Sequence, residues 1–322
     1  MPTMPRPPFD PDCEAVLPQL AAVLPPTVTT EMIPALREAS AALFPTVESS
    51  IGERPVDVEH RTIPGPEGAP DLEISIMRRR GGSSTAPGVY YTHGGGMFMG
   101  NRFLGAEQLA AWVDELDVVV VTVEYRLAPE HPDPAPVEDC YAGLAWTAAN
   151  AAEIGIDPAR LVIAGESAGG GLAAGTALLA RDRGGPALAG QVLIYPMLDD
   201  RDETLSSEQF AGAGVWDRGS NVVGWTALLG ERRGTDSVTH YAAPARASDL
   251  SGLPPAFIDV SSTETFRDET VAYASKMWAD GVQAELHVWP GGFHGFDLFV
   301  PAARISIEAR AARTAWLRRL LG

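Results

Sequence analysis

Leu161-Val162-Ile163-Ala164-Gly165-Glu166-Ser167-Ala168-Gly169-Gly170-Gly171 is the stretch from which the rest of the chain can be read. Its first four residues form an apolar run of the kind found in a buried parallel strand, and residues 172–180 are rich in strong helix formers. Gly165 to Gly169 therefore make a tight strand-to-helix turn with a serine at its apex. Both glycines have a mechanical reason to be there, because a side chain two positions from the apex would crowd the neighbouring strand or helix. Ser167 then stands at a helix N-terminus. There the Ala168 N–H lacks a helical partner, and the positive end of the helix dipole favours an anion forming on a substrate oxygen. A glycine-rich turn with an N-capping serine has the same pattern, so a nucleophile needs partners elsewhere in the chain.

Strand, loop and helix alternate outward from this turn. Apolar runs predict strands over 89–92, 118–123, 191–194, 256–260 and 284–289, and helical patterns cover 104–116, 137–152, 168–181, 268–279 and 303–321. Such alternation means an α/β fold with a mostly parallel sheet covered on both faces, whose ligand sites lie at the carboxyl ends of the strands. Residues 56–63 and 72–77 alternate with period two around Pro64-Gly65-Pro66-Glu67-Gly68, an antiparallel pair at a sheet edge that leaves His60 exposed. After a proline-rich start, two short helices are expected within 14–24 and 31–44, broken by Pro18, Pro25-Pro26 and Pro34. Residues 197–250 are too many for a crossover loop. They run from the acidic Asp199-Asp200-Arg201-Asp202-Glu203 to the apolar Phe210, Trp216 and Trp225, and read as an inserted helical element closing over the site with the N-terminal helices. The expected organisation is a cap from 1–50 and 197–250 on a core of 51–196 and 251–322.

Composition narrows the function. A chain of 322 residues can form one α/β domain with an insertion, and 45% hydrophobic with 20% charged residues fits a globular protein rather than a disordered one. A formal net charge of −18 argues against nucleic acid, whose phosphates such a surface repels. Cys13 and Cys140 are far apart and lack metal-ligand spacing, so neither a disulfide framework nor a zinc site is expected. The N-terminal residues lack a secretory apolar segment and the run 118–123 cannot span a bilayer, which predicts a cytoplasmic protein without membrane insertion.

A serine hydroxyl is a poor nucleophile until a base takes its proton, and the base needs an anion to fix its tautomer and stabilise its charge. Of the six histidines, His294 stands out: Gly291-Gly292-Phe293-His294-Gly295-Phe296 follows a strand and lies at the carboxyl end of the sheet. His287 lies inside that strand as a structural residue, and His240 and His131 read as surface or turn residues. His93-Gly94-Gly95-Gly96 directly follows another strand. Gly94, Gly95 and Gly96 leave backbone N–H groups bare, and Gly95 and Gly96 are best placed to join Ala168 as an oxyanion hole, while His93 braces the loop. A phosphate cradle is the competing reading, but no Lys-Ser or Lys-Thr follows.

These motifs, with Tyr125-Arg126-Leu127-Ala128-Pro129-Glu130-His131-Pro132 and Leu253-Pro254-Pro255-Ala256, resemble the hormone-sensitive-lipase-like branch of the α/β hydrolases, typified by bacterial carboxylesterases. The match runs from about Pro87 to the C-terminus. The resemblance implies an eight-stranded sheet with a helical cap, no metal or organic cofactor, hydrolysis of short-chain acyl esters, and frequent homodimers; a rigid pocket bounded by a cap limits acyl length and predicts small esters of short to medium chain. In the family an Asp-x-Leu-x-Asp-Glu segment opens on the triad acid; here the aligned stretch is Glu264-Thr265-Phe266-Arg267-Asp268-Glu269, so Glu264 stands where aspartate is usual. Glutamate can do the same work in the chain order Ser, acid, His, provided its longer side chain folds back. Asp259 and Asp268 are the alternative acids. The resulting catalytic set is Ser167, His294 and Glu264. Glu166, Glu130 and Asp139 are expected to be structural, and Asp133, where relatives usually carry an aromatic or apolar residue, to concern turn packing only. The same triad could serve amides, acetylated sugars or acyl transfer, and plant relatives without the histidine serve as hormone receptors.

Overall fold

The computed structural model describes residues 4–22, 24–25, 27–43 and 46–322; the expectations for Met1-Pro2-Thr3, Val23, Pro26, Phe44 and Pro45 lie outside these. The apolar runs become strands of one eight-stranded sheet. They are β1 (Val56–Ile63), β2 (Leu72–Arg79), β3 (Ala86–Thr92), β4 (Val119–Glu124), β5 (Ile156–Glu166), β6 (Gly190–Ile194), β7 (Ala256–Ser261) and β8 (Ala284–Trp289). In space their order is β1-β2-β4-β3-β5-β6-β7-β8. β1 pairs antiparallel with β2, and β2 with β4, while every pair from β4 to β8 is parallel. Residues of β3, β6 and β7 are buried throughout, whereas β1 alternates between buried ends and exposed positions, as an edge strand does.

The topology places the site. From β3 the chain crosses to β4 on one side and then returns to β5 on the other, so the loops leaving β3 and β5 meet at a reversal of strand order, where open α/β sheets form their crevice. Helices fill both faces: Tyr90 and Tyr91, neighbours on β3, point their hydroxyls at Gly143, inside one helix, and at Gly105, the residue that precedes another.

The helices are α1 (Pro11–Ala21), α2 (Ile33–Leu43), α3 (Glu48–Ile51), α4 (Ala106–Leu116), α5 (Ala135–Ala149), α6 (Ala168–Asp182), α7 (Leu205–Gln209), α8 (Arg218–Leu229), α9 (Arg267–Ala279), α10 (Phe296–Phe299) and α11 (Arg304–Leu321). Two prolines expected to break the N-terminal helices do not. Pro18 lies inside α1, and Pro34 is the second residue of α2, where no helical partner for its missing N–H is required. The two helices also part company. Cys13 of α1 joins Phe293, Phe296, Ile305 and Ala309 in a small separate core, while Ile33 and Leu36 of α2 join the main one. Arg37 on α2 donates to Phe98 O, to Ala128 O and, through both terminal nitrogens, to Glu130. The N-terminal segment also meets the start of α8, since Thr27 Oγ1 donates to Asp217 over 2.7 Å and Val28 N to Ser220 over 2.8 Å.

α6 is buried from Ala168 to Ala180, and its small residues permit this. A Cβ on Gly169 would lie 2.1 Å from Thr92 O and 2.4 Å from His93 O, both backbone atoms that cannot step aside. Gly169→Ala is therefore expected to lower stability by about 1–3 kcal/mol, as overpacking does, read as a lower urea midpoint with an unchanged slope.

Candidate active site

The turn after β5 forces its serine into a conformation that L-residues avoid. Ser167 has φ 55° and ψ −123°, a region tolerated only when surroundings over-determine it. They do: Ser167 N donates to Ile194 O over 2.8 Å, and its carbonyl accepts from Met197 N at 2.9 Å and Gly171 N at 3.1 Å. A Cβ on Gly165 would come within 2.2 Å of Gly169 O, so the turn closes only with glycine there.

Two further strand-end loops reach this serine. His294, in the loop after β8, lies with Nε2 2.8 Å from Ser167 Oγ, and its Nδ1 is 2.5 Å from Glu264 Oε2. A carboxylate only accepts, so the proton sits on Nδ1 and Nε2 is free to accept from the serine hydroxyl. Glu264, in the loop after β7, folds back so that its other oxygen, Oε1, accepts from Ser261 N at 2.8 Å. The extra methylene is thereby taken up by a hydrogen bond to the residue three positions earlier. Thr263 Oγ1 donates to Gly292 O over 2.6 Å and joins the acid loop to the histidine loop. Phe266 and Tyr195 press edges toward the imidazole at 4.9 Å each, and Trp216 lies 6.5 Å away.

The loop after β3 supplies the donors. Gly95 has φ 120° and Gly96 φ 60°, and both line the pocket beside Ser167 together with Gly94. Among the described residues no protein group accepts from the N–H of Gly95, Gly96 or Ala168. The Gly94 carbonyl accepts from His93 Nδ1 at 2.7 Å, and its N–H likewise meets no protein acceptor among the described residues. His93 is buried, stacks on Tyr125 at 4.1 Å, and receives the Tyr125 hydroxyl on its carbonyl at 2.8 Å, so it braces the loop; burial holds its pKa below the usual value.

The alternative acids lie elsewhere. Asp259 faces Arg313 Nε at 2.9 Å and Trp289 Nε1 at 3.0 Å, and Asp268 accepts from Ser206 N at 2.8 Å and from Arg267 Nε at 2.7 Å. Asp139 forms a bidentate pair with Arg126. Asp133 does more than pack a turn, since it accepts from Arg232 Nη2 at 2.9 Å and its N–H donates to Leu228 O, tying that turn to the C-terminal end of α8 and the residues after it. Glu166 faces Tyr91, Tyr195, Arg313, Asp297 and His294, and lines the pocket wall. Burial, followed by the Asp297 charge, pushes its carboxyl up to about 7 against the pull of Arg313, Tyr91 and His294. The walls of the pocket are apolar: Leu24, Val28, Leu36 and Leu43 from the N-terminal segment, Val215 and Trp216 from the stretch between β6 and β7, and Leu298 and Phe299 from α10.

A family model described as the α/β-hydrolase fold matches residues 89–298. The chain belongs to the hormone-sensitive-lipase-like branch of the α/β hydrolases. It is similar to carboxylesterase NlhH of Mycobacterium tuberculosis, at 37% identity over 99% of this chain and 98% of that one. Among solved structures, this hydrolase fold superposes on a bacterial heroin esterase with TM-score 0.90 and 38% identity, covering 98% of each chain. An esterase from the archaeon Pyrobaculum calidifontis gives 0.88 and 33%, covering 97% of this chain and 99% of that one. No helix among the described residues is long and apolar enough to cross a membrane.

Sequence patterns did not single out Tyr195, Phe266 and Trp216 as the rings enclosing the histidine. For Tyr195 a signal was present, since Tyr195-Pro196 follows β6 at the carboxyl end of the sheet. Glu264→Gln is expected to lower kcat on the order of 10³–10⁴-fold, and Asp268→Asn to leave it within about threefold, in steady-state assays of folded variants. Glu166 supplies a pH test of stability. Its carboxyl binds a proton more readily in the folded chain, so that contribution is complete below the unfolded pKa of 4.5 and is lost as pH rises through about 7. Glu166→Gln, measured by thermal melting, should therefore gain more stability over the parent at pH 8.5 than at pH 5, by on the order of 3 kcal/mol.

Proposed function

We propose that this chain is a carboxylesterase that works through an acyl-enzyme on Ser167. The observation that carries this reading is the line Ser167 Oγ, His294, Glu264, with links of 2.8 and 2.5 Å. His294 takes the hydroxyl proton as Oγ bonds to the ester carbonyl carbon, and the carbonyl oxygen becomes an oxyanion. The N–H groups of Gly95, Gly96 and Ala168 receive that charge at the N-terminus of α6, where the helix dipole adds to them. His294 then passes the proton to the leaving alcohol, and Glu264 stabilises the imidazolium between the two transfers. Water repeats the sequence on the acyl-enzyme and frees the acid.

The pocket supports the substrate size. Residues 1–50 and 197–250 act as the cap of this reading, and they supply Leu36, Leu43 and Trp216 to an apolar space that suits a short or medium acyl chain. A homodimer and a cytoplasmic location belong to the same reading. A relative from Bos taurus, 28% identical over 71% of this chain and 73% of its own length, is called arylacetamide deacetylase, which makes arylamides the second substrate class to test.

A fluorophosphonate followed by peptide mass mapping is expected to place its mass on Ser167; an adduct elsewhere would remove the nucleophile assignment. On paired substrates, p-nitrophenyl acetate and butyrate should be hydrolysed with kcat/KM well above that of matched p-nitroanilides. Preference for trioctanoin or longer triglycerides would contradict the pocket argument.

A further inference from the structure

Resting on the acyl-enzyme mechanism proposed above, we propose that a rear water channel, entered between α4 and α11, reaches the back wall of the active-site pocket and delivers the water that frees the acyl-enzyme. Three spaces lie in a row and share walls. Glu166 and Leu298 line both the active-site pocket and an inner chamber behind it. Glu107, Gln108 and Arg310 line both that chamber and an outer groove that includes the exposed Ile307. Glu166 is therefore the inner door and the Glu107–Arg310 pair the outer one.

The chemistry of the chamber identifies what fills it. Gln108 Oε1, Trp112 Nε1, Asp297 Oδ1, Arg310 Nε and Arg313 Nη2 belong to residues lining it, and each is buried without a protein hydrogen-bond partner among the described residues. Acceptors and donors are mixed. An anion would serve only the donors and a cation only the acceptors, whereas water serves both, and an apolar acyl chain would leave every one unpaired. The outer neck is held loosely, Arg310 Nη1 lying 3.5 Å from Glu107 Oε1 while Nη2 is committed to Asp297 O at 2.6 Å.

The front pocket explains why a rear route is useful. Its walls are apolar and favour the ester over water, whereas the chamber behind Glu166 carries unpaired polar groups. Water held in that chamber approaches the acyl carbon from behind Glu166 without crossing the apolar walls. Its oxygen bonds to the acyl carbon while its proton goes to Nε2 of His294; the carbon–Oγ bond then breaks as His294 returns that proton to Ser167, and the carboxylic acid departs.

The test plugs the outer neck. Rapid-quench mass spectrometry of the enzyme turning over p-nitrophenyl acetate counts acetyl groups on Ser167 alongside p-nitrophenol release. Gln108→Phe is expected to accumulate acetylated Ser167 and lower turnover at least about tenfold, with first-turnover p-nitrophenol release within about twofold of the parent. Gln108→Ala, which widens the neck, should keep parental turnover. A folded Gln108→Phe protein with parental turnover and acetyl occupancy overturns the channel, as does an equal fall in acylation and turnover. Acetyl on a residue other than Ser167 overturns the acyl-enzyme reading instead, so the two failures are distinct. Should Gln108→Phe not fold, a high-resolution crystal structure of the parent decides: ordered waters bonded to Gln108 Oε1, Trp112 Nε1 and Arg313 Nη2 support the channel, and a chamber without them overturns it.

Discussion

One imidazole ring, His294, held between a hydroxyl and a carboxylate, is the constraint that the rest of the molecule meets. The ring is buried with Glu264, whose side chain is wholly removed from solvent. An ionised carboxylate so placed is costly unless every oxygen is satisfied, and here one oxygen takes the imidazole N–H and the other the Ser261 N–H. Removing either partner from such a pair typically costs about 3–5 kcal/mol, so the same contacts that orient the ring also hold the loops after β7 and β8 in place. The strained backbone of Ser167 is the other half of the arrangement. Its conformation is held by hydrogen bonds to the ends of β6 and α6 rather than by its own preference.

The parts of this arrangement that are local in sequence were legible before any coordinates. The strand-to-helix turn, the three glycines after β3 and the histidine loop after β8 each combine a periodicity change with glycine at positions where a side chain would collide. Glu264 was reachable through the family resemblance, since it opens the stretch Glu264-Thr265-Phe266-Arg267-Asp268-Glu269 at the position of the family's triad acid, while the fold-back onto Ser261 is a three-dimensional fact. Pro34 stands in the first turn of α2, where its missing N–H has no helical partner to lose, whereas Pro18 lies in the interior of α1 and the helix runs through it. The rings around His294 stayed hidden for a plainer reason. Tyr195, Trp216 and Phe266 come from three separate loops, and ordinary aromatic residues carry no sign of which space they will close.

Behind the site lies a second, polar interior that the sequence did not announce. Arg313 pairs with both Asp259 and Asp297, and Tyr195 lies between this cluster and the histidine, its ring facing the Arg313 guanidinium on one side and the imidazole on another. Asp259, on a strand end near the acid position, is thereby committed to α11 and withheld from His294. Glu166 sits where the apolar front pocket and this charged rear region meet. A carboxyl there is expensive to ionise and for that reason responds to what solvates it, which links the stability of the elbow to the hydration of the space behind it.

Proton magnetic resonance of the enzyme carrying nitrogen-15-labelled histidine examines the central contact directly. The account predicts a far-downfield proton bonded to Nδ1 of His294, held against Glu264, which persists in Asp259→Asn and disappears in Glu264→Ala. A His294 ring that shows no such proton, or that keeps it after Glu264 is removed, would contradict the relay on which the esterase mechanism is built.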